Sequence, residues 1–257
     1  MCHDPSATPP YPPVSGGATD VQGRDLVLRS ADGTRFAAFS ATTGTEGGAG
    51  IAILPDVRGL HRFYRDLAKR FAEAGVHATA IDYFGRTAGI GERDDDFDHM
   101  AHVRQTTADQ IARDVSAALD HLRSSDGGGA GALFTVGFCF GGRQSFNQAA
   151  AGHGLSGVIG FYGAVEARPP YPEETAPIRL APTYRCPVLG LFGGADQNIT
   201  GESIERFRGA LDGAGVRNEI VVYDGAPHSF FDRKFDQYRK ECDDAWMRIL
   251  RFVMEMS

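Results

Sequence analysis

The chain has 257 residues, 42% hydrophobic and 23% charged, which is enough for a substantial core of ordinary globular composition. Its formal net charge of −7 removes the long-range attraction that nucleic acid or an anionic membrane surface would require. No apolar run approaches the ~18–20 residues of a membrane span, and Met1 to Thr19 lacks the basic-then-apolar pattern of a secretory leader, so a cytoplasmic protein is expected.

Residues 1–20 carry Pro5, Pro9, Pro10, Pro12 and Pro13 with few apolar side chains, and read as an extended proline-rich arm ahead of a single domain over 21–257. Asp25–Arg29 and Arg35–Phe39 alternate in polarity and flank Ala31-Asp32-Gly33, a hairpin signature. From residue 50 short apolar runs alternate with amphipathic stretches. Strands are expected at Ile51–Leu54, His77–Ile81, Leu133–Gly137, Val158–Phe161, Val188–Phe192 and Glu219–Tyr223, several apolar at consecutive positions, as in strands covered on both faces.

Helical stripes fall between them. Phe63, Leu67 and Phe71 repeat ahead of Gly75; Ile111, Val115, Leu119 and Leu122 follow Thr107 and Gln110, which have capping-box spacing. Ile204, Phe207 and Leu211 form a third stripe, and Trp246, Ile249, Leu250 and Val253 a fourth. This alternation implies an α/β fold with a mainly parallel sheet and helices on both faces. The Pro- and Glu-rich segment Ala164–Arg185 reads as a surface excursion placed to border a site.

The chemistry concentrates in Gly137-Phe138-Cys139-Phe140-Gly141-Gly142, between an expected strand and an expected helix. The spacing is that of a nucleophile elbow, with cysteine where serine is usual. Side chains at the flanking glycines would collide with the tight turn or the neighbouring strand, and the helix N-terminus favours a thiolate. Taken alone, the segment equally describes a buried cysteine in a Gly-rich turn. Two later features select the catalytic reading. Gly193-Gly194-Ala195-Asp196 and Gly225-Ala226-Pro227-His228 each follow an expected strand, in the order nucleophile, acid, base. Cys139, Asp196 and His228 therefore form the expected triad, with backbone oxyanion donors at Phe140 and within Pro55–Gly59.

On these residues the sequence resembles the dienelactone hydrolases (carboxymethylenebutenolidases). The likeness extends to Asp56-Val57-Arg58-Gly59-Leu60-His61 and Asp82-Tyr83-Phe84, and covers roughly residues 24–255. It implies an eight-stranded α/β-hydrolase core and cofactor-free opening of lactones or activated esters. It also implies Val57 as the second oxyanion donor. Asp56 stands where founding members carry a glutamate thought to hold the resting thiol, which makes Asp56 a candidate thiol gate. Founding members grip a substrate carboxylate with two arginines. Here the first such region, Gly91–Asp96, is largely acidic, and in the second Arg233 falls one place late. Arg58 and Arg86 are the favoured replacements, with Arg143 a further candidate.

A general carboxylesterase or thioesterase on a neutral substrate is the alternative within this fold. Readings of a different class are a non-catalytic ligand-binding member of the hydrolase fold, which would be expected to lack a triad member, and a redox sensor at Cys139. Cys2, Cys139, Cys186 and Cys242 lack CxxC spacing, and His99 and His102 with Asp94, Asp95, Asp96 and Asp98 fit no metal-ligand pattern. No metal or cofactor is expected. The protein should act on a small-molecule ester or lactone as a monomer or small homo-oligomer.

Overall fold

The computed structural model describes residues 7–13, 20–93, 96–169 and 171–257. Cys2, Pro5, Asp94 and Asp95, singled out above, lie outside the described residues. Eight strands form one sheet: β1 (Gln22–Arg29), β2 (Arg35–Thr42), β3 (Ala49–Leu54), β4 (His77–Ile81), β5 (Ala132–Phe138), β6 (Gly157–Phe161), β7 (Val188–Gly193) and β8 (Asn218–Tyr223), in the order β1-β2-β4-β3-β5-β6-β7-β8. The β1–β2 hairpin and the β2–β4 pair are antiparallel, and every pairing from β4 to β8 is parallel. The helices are α1 (Arg62–Glu73), short α2 (Gly85–Ala88) and α3 (His99–Val103), α4 (Ala108–Arg123), α5 (Phe140–Gln148), short α6 (Pro177–Leu180), α7 (Gly201–Gly213) and α8 (Arg239–Met256).

Every residue of β3 is buried, because helices cover both sheet faces. Successive side chains of a strand point to opposite faces. Accordingly Ile51 and Ile53 pack with Phe63, Leu67 and Phe71 of α1 and Trp246 of α8. Ala52 and Leu54 pack with Ile111, Val115 and Leu119 of α4 on the other side. Thr107 starts α4 with both halves of the capping box formed, its side chain accepting from Gln110 N while Thr107 N donates to the Gln110 side chain. His77–Ile81 recurs with both ends unchanged, and the other expected strands recur with one or both ends shifted by one to three residues, the usual uncertainty where a ladder frays.

The described part of the proline-rich arm packs on the body. Pro9 and Pro10 are buried, Trp246 Nε1 donates to Pro10 O at 3.1 Å, and the Arg70 guanidinium lies 3.6 Å from the Tyr11 ring centroid. Proline lends itself to such a strap, since its fixed φ lowers the entropy lost on docking. Trp246 is fully buried and meets Phe71 and Phe231 at ring-centroid separations of 4.8 and 5.9 Å. Trp246→Ala should destabilise the protein by about 3–5 kcal/mol in denaturant unfolding. Trp246→Phe loses the indole N–H and part of the ring volume and should cost less than Trp246→Ala, about 1–3 kcal/mol.

Candidate active site

The carboxyl ends of parallel strands meet at one edge of the sheet, so loops leaving β3, β5, β7 and β8 converge there. Cys139 lies between β5 and α5 with φ 55° and ψ −110°, a left-handed backbone that non-glycine residues seldom adopt. Crowding explains the flanking glycines. A Cβ on Gly137 would sit 1.9 Å from Gly141 O, and one on Gly141 would sit 2.0 Å from Leu54 O. The bend is tied at both ends: Cys139 N donates to Phe161 O at 3.0 Å, and Arg143 N donates to Cys139 O at 3.2 Å.

Asp196 follows β7 and His228 follows β8. His228 Nδ1 and Asp196 Oδ2 are 2.6 Å apart. A carboxylate accepts, so Nδ1 carries the proton and Nε2 is left to act as a base. The Asp196 side chain is 1% exposed and that of His228 19%. Asp196 Oδ1 also accepts from Asn198 N at 2.8 Å. Burial opposes the Asp196 charge, but His228 and the loop amides hold its carboxyl below the ordinary carboxylate range. Ser229, next to the imidazole, has φ 59° and accepts a 2.9 Å bond from Arg233 Nη2 on Oγ, which stiffens the turn carrying His228.

Cys139 and His228 line one cavity of about 470 Å³. Val57 and Phe140 line it too, and neither of their backbone N–H groups donates to another described residue. Tyr162 packs beside the imidazole, ring centroids 4.9 Å apart.

Two expected arginines are committed elsewhere. Arg86 does not line the cavity. It is paired with Asp114 (2.5 Å) and Asp32 (2.9 Å) and also donates to Ser30 Oγ. These partners bring the β1–β2 turn and α4 together, so the structure places Arg86 as a tie between them and not at the cavity. Arg58 Nε and Nη2 both bond Asp56 Oδ2, at 3.3 and 3.1 Å. Asp56 Oδ1 accepts from Arg58 N at 2.9 Å, so Asp56 bonds its own loop in the manner of a turn aspartate. Burial alone would drive the Asp56 carboxyl up, but His61 and Arg58 beside it hold it down. Arg93, in the acidic segment after β4, is nearly buried against Asp82 at 2.8 Å.

The cationic groups that do line the cavity are Arg143 and Arg168. Arg143 is 2% exposed and donates to Ala164 O, Glu166 O and Thr175 O, which pins the excursion after β6 onto α5. Arg168 lies in that excursion. Only the bordering position of this Pro-rich segment hinted at it, since chain proximity to a motif says nothing about a loop folding back. Among the described residues no cluster of three His, Cys, Asp or Glu side chains is placed to hold a metal ion. No helix among them is long and apolar enough to cross a membrane.

The dienelactone hydrolase family matches residues 36–257. The chain belongs to that family. It is 30% identical over 262 residues to a protein of Salmonella typhimurium provisionally named carboxymethylenebutenolidase, covering 99% of this chain and 91% of that one. A similarly named relative from Escherichia coli O157:H7 is 31% identical over 209 residues, 80% of this chain and 76% of that one. A crystal structure from Klebsiella pneumoniae, provisionally titled a dienelactone hydrolase, superposes with a TM-score of 0.81 at 26% identity, covering 92% of this chain and 99% of that one. The fold is that of the α/β-hydrolases, and the enzyme is a lactone or ester hydrolase.

Thiol chemistry distinguishes the described cysteines of this hydrolase. Cys186 and Cys242 are buried; burial pushes the Cys186 thiol up to about 12 and raises that of Cys242 as well. Cys139 opens onto the cavity at a helix N-terminus. Iodoacetamide at pH 8 should modify Cys139 at least tenfold faster than Cys186 or Cys242, read peptide by peptide in the mass spectrometer.

Proposed function

We propose that the protein hydrolyses lactones or activated esters through a covalent thioester on Cys139, with His228 as acid and base, Asp196 as its orienting partner, and Val57 and Phe140 N–H as oxyanion donors. The observation that carries this reading is the 2.6 Å His228–Asp196 contact beside Cys139 in one cavity. A redox cysteine would need neither the aligned acid nor two undirected amides at its wall.

The chemistry runs in two halves. Cys139 Sγ attacks the carbonyl carbon as its proton passes to His228 Nε2. The carbonyl oxygen gains negative charge, which the two amides stabilise. When the acyl–oxygen bond breaks, His228 returns the proton to the leaving oxygen and the thioester remains. A water then loses a proton to His228 and attacks the thioester carbon. The carbon–sulfur bond breaks, and the proton returns to sulfur. Asp196 keeps Nδ1 protonated throughout and stabilises the transient imidazolium.

The lining favours an anionic lactone over a neutral ester. Arg143 and Arg168 line the cavity, and no Asp or Glu does among the described residues. Arg143 has no ion-pair partner among the described residues, all its bonded acceptors being uncharged oxygens. A fixed charge at short range acts within the screening length, where the overall −7 counts for little.

Cys139→Ala and His228→Ala should each lower p-nitrophenyl ester hydrolysis at least a thousandfold with unchanged circular dichroism. Full activity in Cys139→Ala would end the covalent reading. An acidic lactone should exceed its methyl ester about tenfold in kcat/KM, ~1.4 kcal/mol. Arg168→Ala should reduce that ratio towards one, and equal rates for acid and ester in the wild type would favour the neutral-esterase alternative.

A further inference from the structure

An oxyanion donor works only if its N–H is held where charge will appear, so the conformation of the Val57 peptide matters more than the Val57 side chain. That peptide lies in a loop with no regular hydrogen-bond ladder, directly after β3. Its near end is anchored: Pro55 O accepts from Tyr83 Oη at 2.9 Å, and Asp56 N donates to Tyr64 Oη at 2.9 Å. Gly59 N donates to Asp56 O at 3.1 Å and closes the turn.

Across the apex, one side chain does the holding. Asp56 Oδ1 reaches over Val57 to accept from Arg58 N, while Arg58 Nε and Nη2 fold back onto Asp56 Oδ2. Residue 57 is thus bracketed by a ring made of its two neighbours, and its own N–H is left pointing at no other described residue. The carboxylate is 1% exposed and the guanidinium 13%, so the pair is desolvated and each charge depends on the other. Arg58 Nη2 also lies 2.8 Å from His61 Nε2, which joins the clamp to the start of α1. Burial opposes the Arg58 charge, but Asp56 and, more weakly, Asp232 in the loop following His228 sustain it.

We infer that Arg58 is a positioning residue for the oxyanion hole: its clamp on Asp56 across the apex fixes the Val57 amide, and Arg58 does not itself bind substrate. This rests on the hydrolase reading above. The Asp56–Arg58 pair then serves transition-state stabilisation, while activation of the thiol belongs to His228 and the α5 N-terminus.

The test separates those two steps. Arg58→Lys, Arg58→Met and Asp56→Asn are compared with the wild type on a neutral p-nitrophenyl ester and an acidic lactone. Alkylation of Cys139 by iodoacetamide needs the thiolate but no oxyanion hole. A trifluoromethyl ketone adds to the thiol as a tetrahedral adduct and needs both. Arg58→Met should lower kcat about 10–100-fold on both substrates, approaching the loss of a whole donor, with KM within about twofold. The trifluoromethyl ketone should weaken in the same proportion, and alkylation should run at the wild-type rate. Arg58→Lys keeps the charge but not the two-bond geometry and should lie between. If Arg58→Met does not fold, the same pattern in Arg58→Lys and Asp56→Asn decides.

Alkylation slowed in parallel with kcat would overturn the inference in favour of thiol gating. A rise in KM for the acidic lactone alone would overturn it in favour of substrate binding. Unchanged kcat in all three variants would overturn it outright. Failure of the hydrolase reading itself would look different, as retained activity in Cys139→Ala.

Discussion

A residue with a side chain is held at φ 55° between a buried strand and a helix, and much of the site follows from that one strained turn. The strain is tolerated because the surroundings over-determine it: the ladder on either side of β5, the bonds from Cys139 N to Phe161 O and from Arg143 N to Cys139 O, and glycines where any Cβ would strike backbone. In return the thiol is lifted clear of the sheet edge, and α5 directs its N-terminal amides at it. The Phe140 N–H donates to no described residue because it is one of those first-turn amides that a helix cannot satisfy internally. One backbone bend therefore sets the position of the Cys139 thiol, its electrostatic environment and the exposure of the Phe140 amide to the cavity.

Charge is distributed in a way the net value conceals. A chain of −7 encloses a cavity lined, among the described residues, by two arginines and neither Asp nor Glu. Three acids near the site are each held by a specific partner: Asp196 by His228, Asp56 by Arg58 and Asp82 by Arg93. Arg143 differs in kind. Its guanidinium is spent on backbone carbonyls of the excursion after β6, so its hydrogen bonds are satisfied while its charge is not. That combination builds the cavity wall and leaves a positive field inside it.

Legibility followed the length scale of each signal. The parallel strands and long helices were readable because burial on both faces leaves continuous apolar runs, and packing leaves a period near four, as in Phe63, Leu67 and Phe71. The meeting of Cys139, Asp196 and His228 at one sheet edge was readable because strand ends converge, so three residues distant in sequence can be placed there from their order alone. Arginine roles were not readable. Arg86 sits two residues after Phe84 and close to the site in sequence, yet its partner Asp114 lies on α4, 28 positions away. Arg168 looked like part of a surface excursion, and it faces the cavity. A long flexible cation reaches about as far as the strands are apart, so its partner depends on tertiary neighbours that no local pattern encodes.

The same reasoning bears on how the site departs from the founding pattern of its family. Replacing a glutamate by Asp56 shortens the side chain by one methylene, and a shorter acid reaches its own loop more easily than a thiol on the next strand. With Arg58 two residues on, the carboxylate closes a local ring, as turn aspartates do with nearby amides. A buried charge is costly to separate from the partner that holds it, because the separation leaves it uncompensated. A carboxylate already held by a guanidinium through two bonds is thus poorly suited to release and recapture a thiol on each turnover. The acid at Asp56 and the arginine at Arg58 make sense together: each is held by the other, and the arginines that line the cavity among the described residues are Arg143 and Arg168 instead.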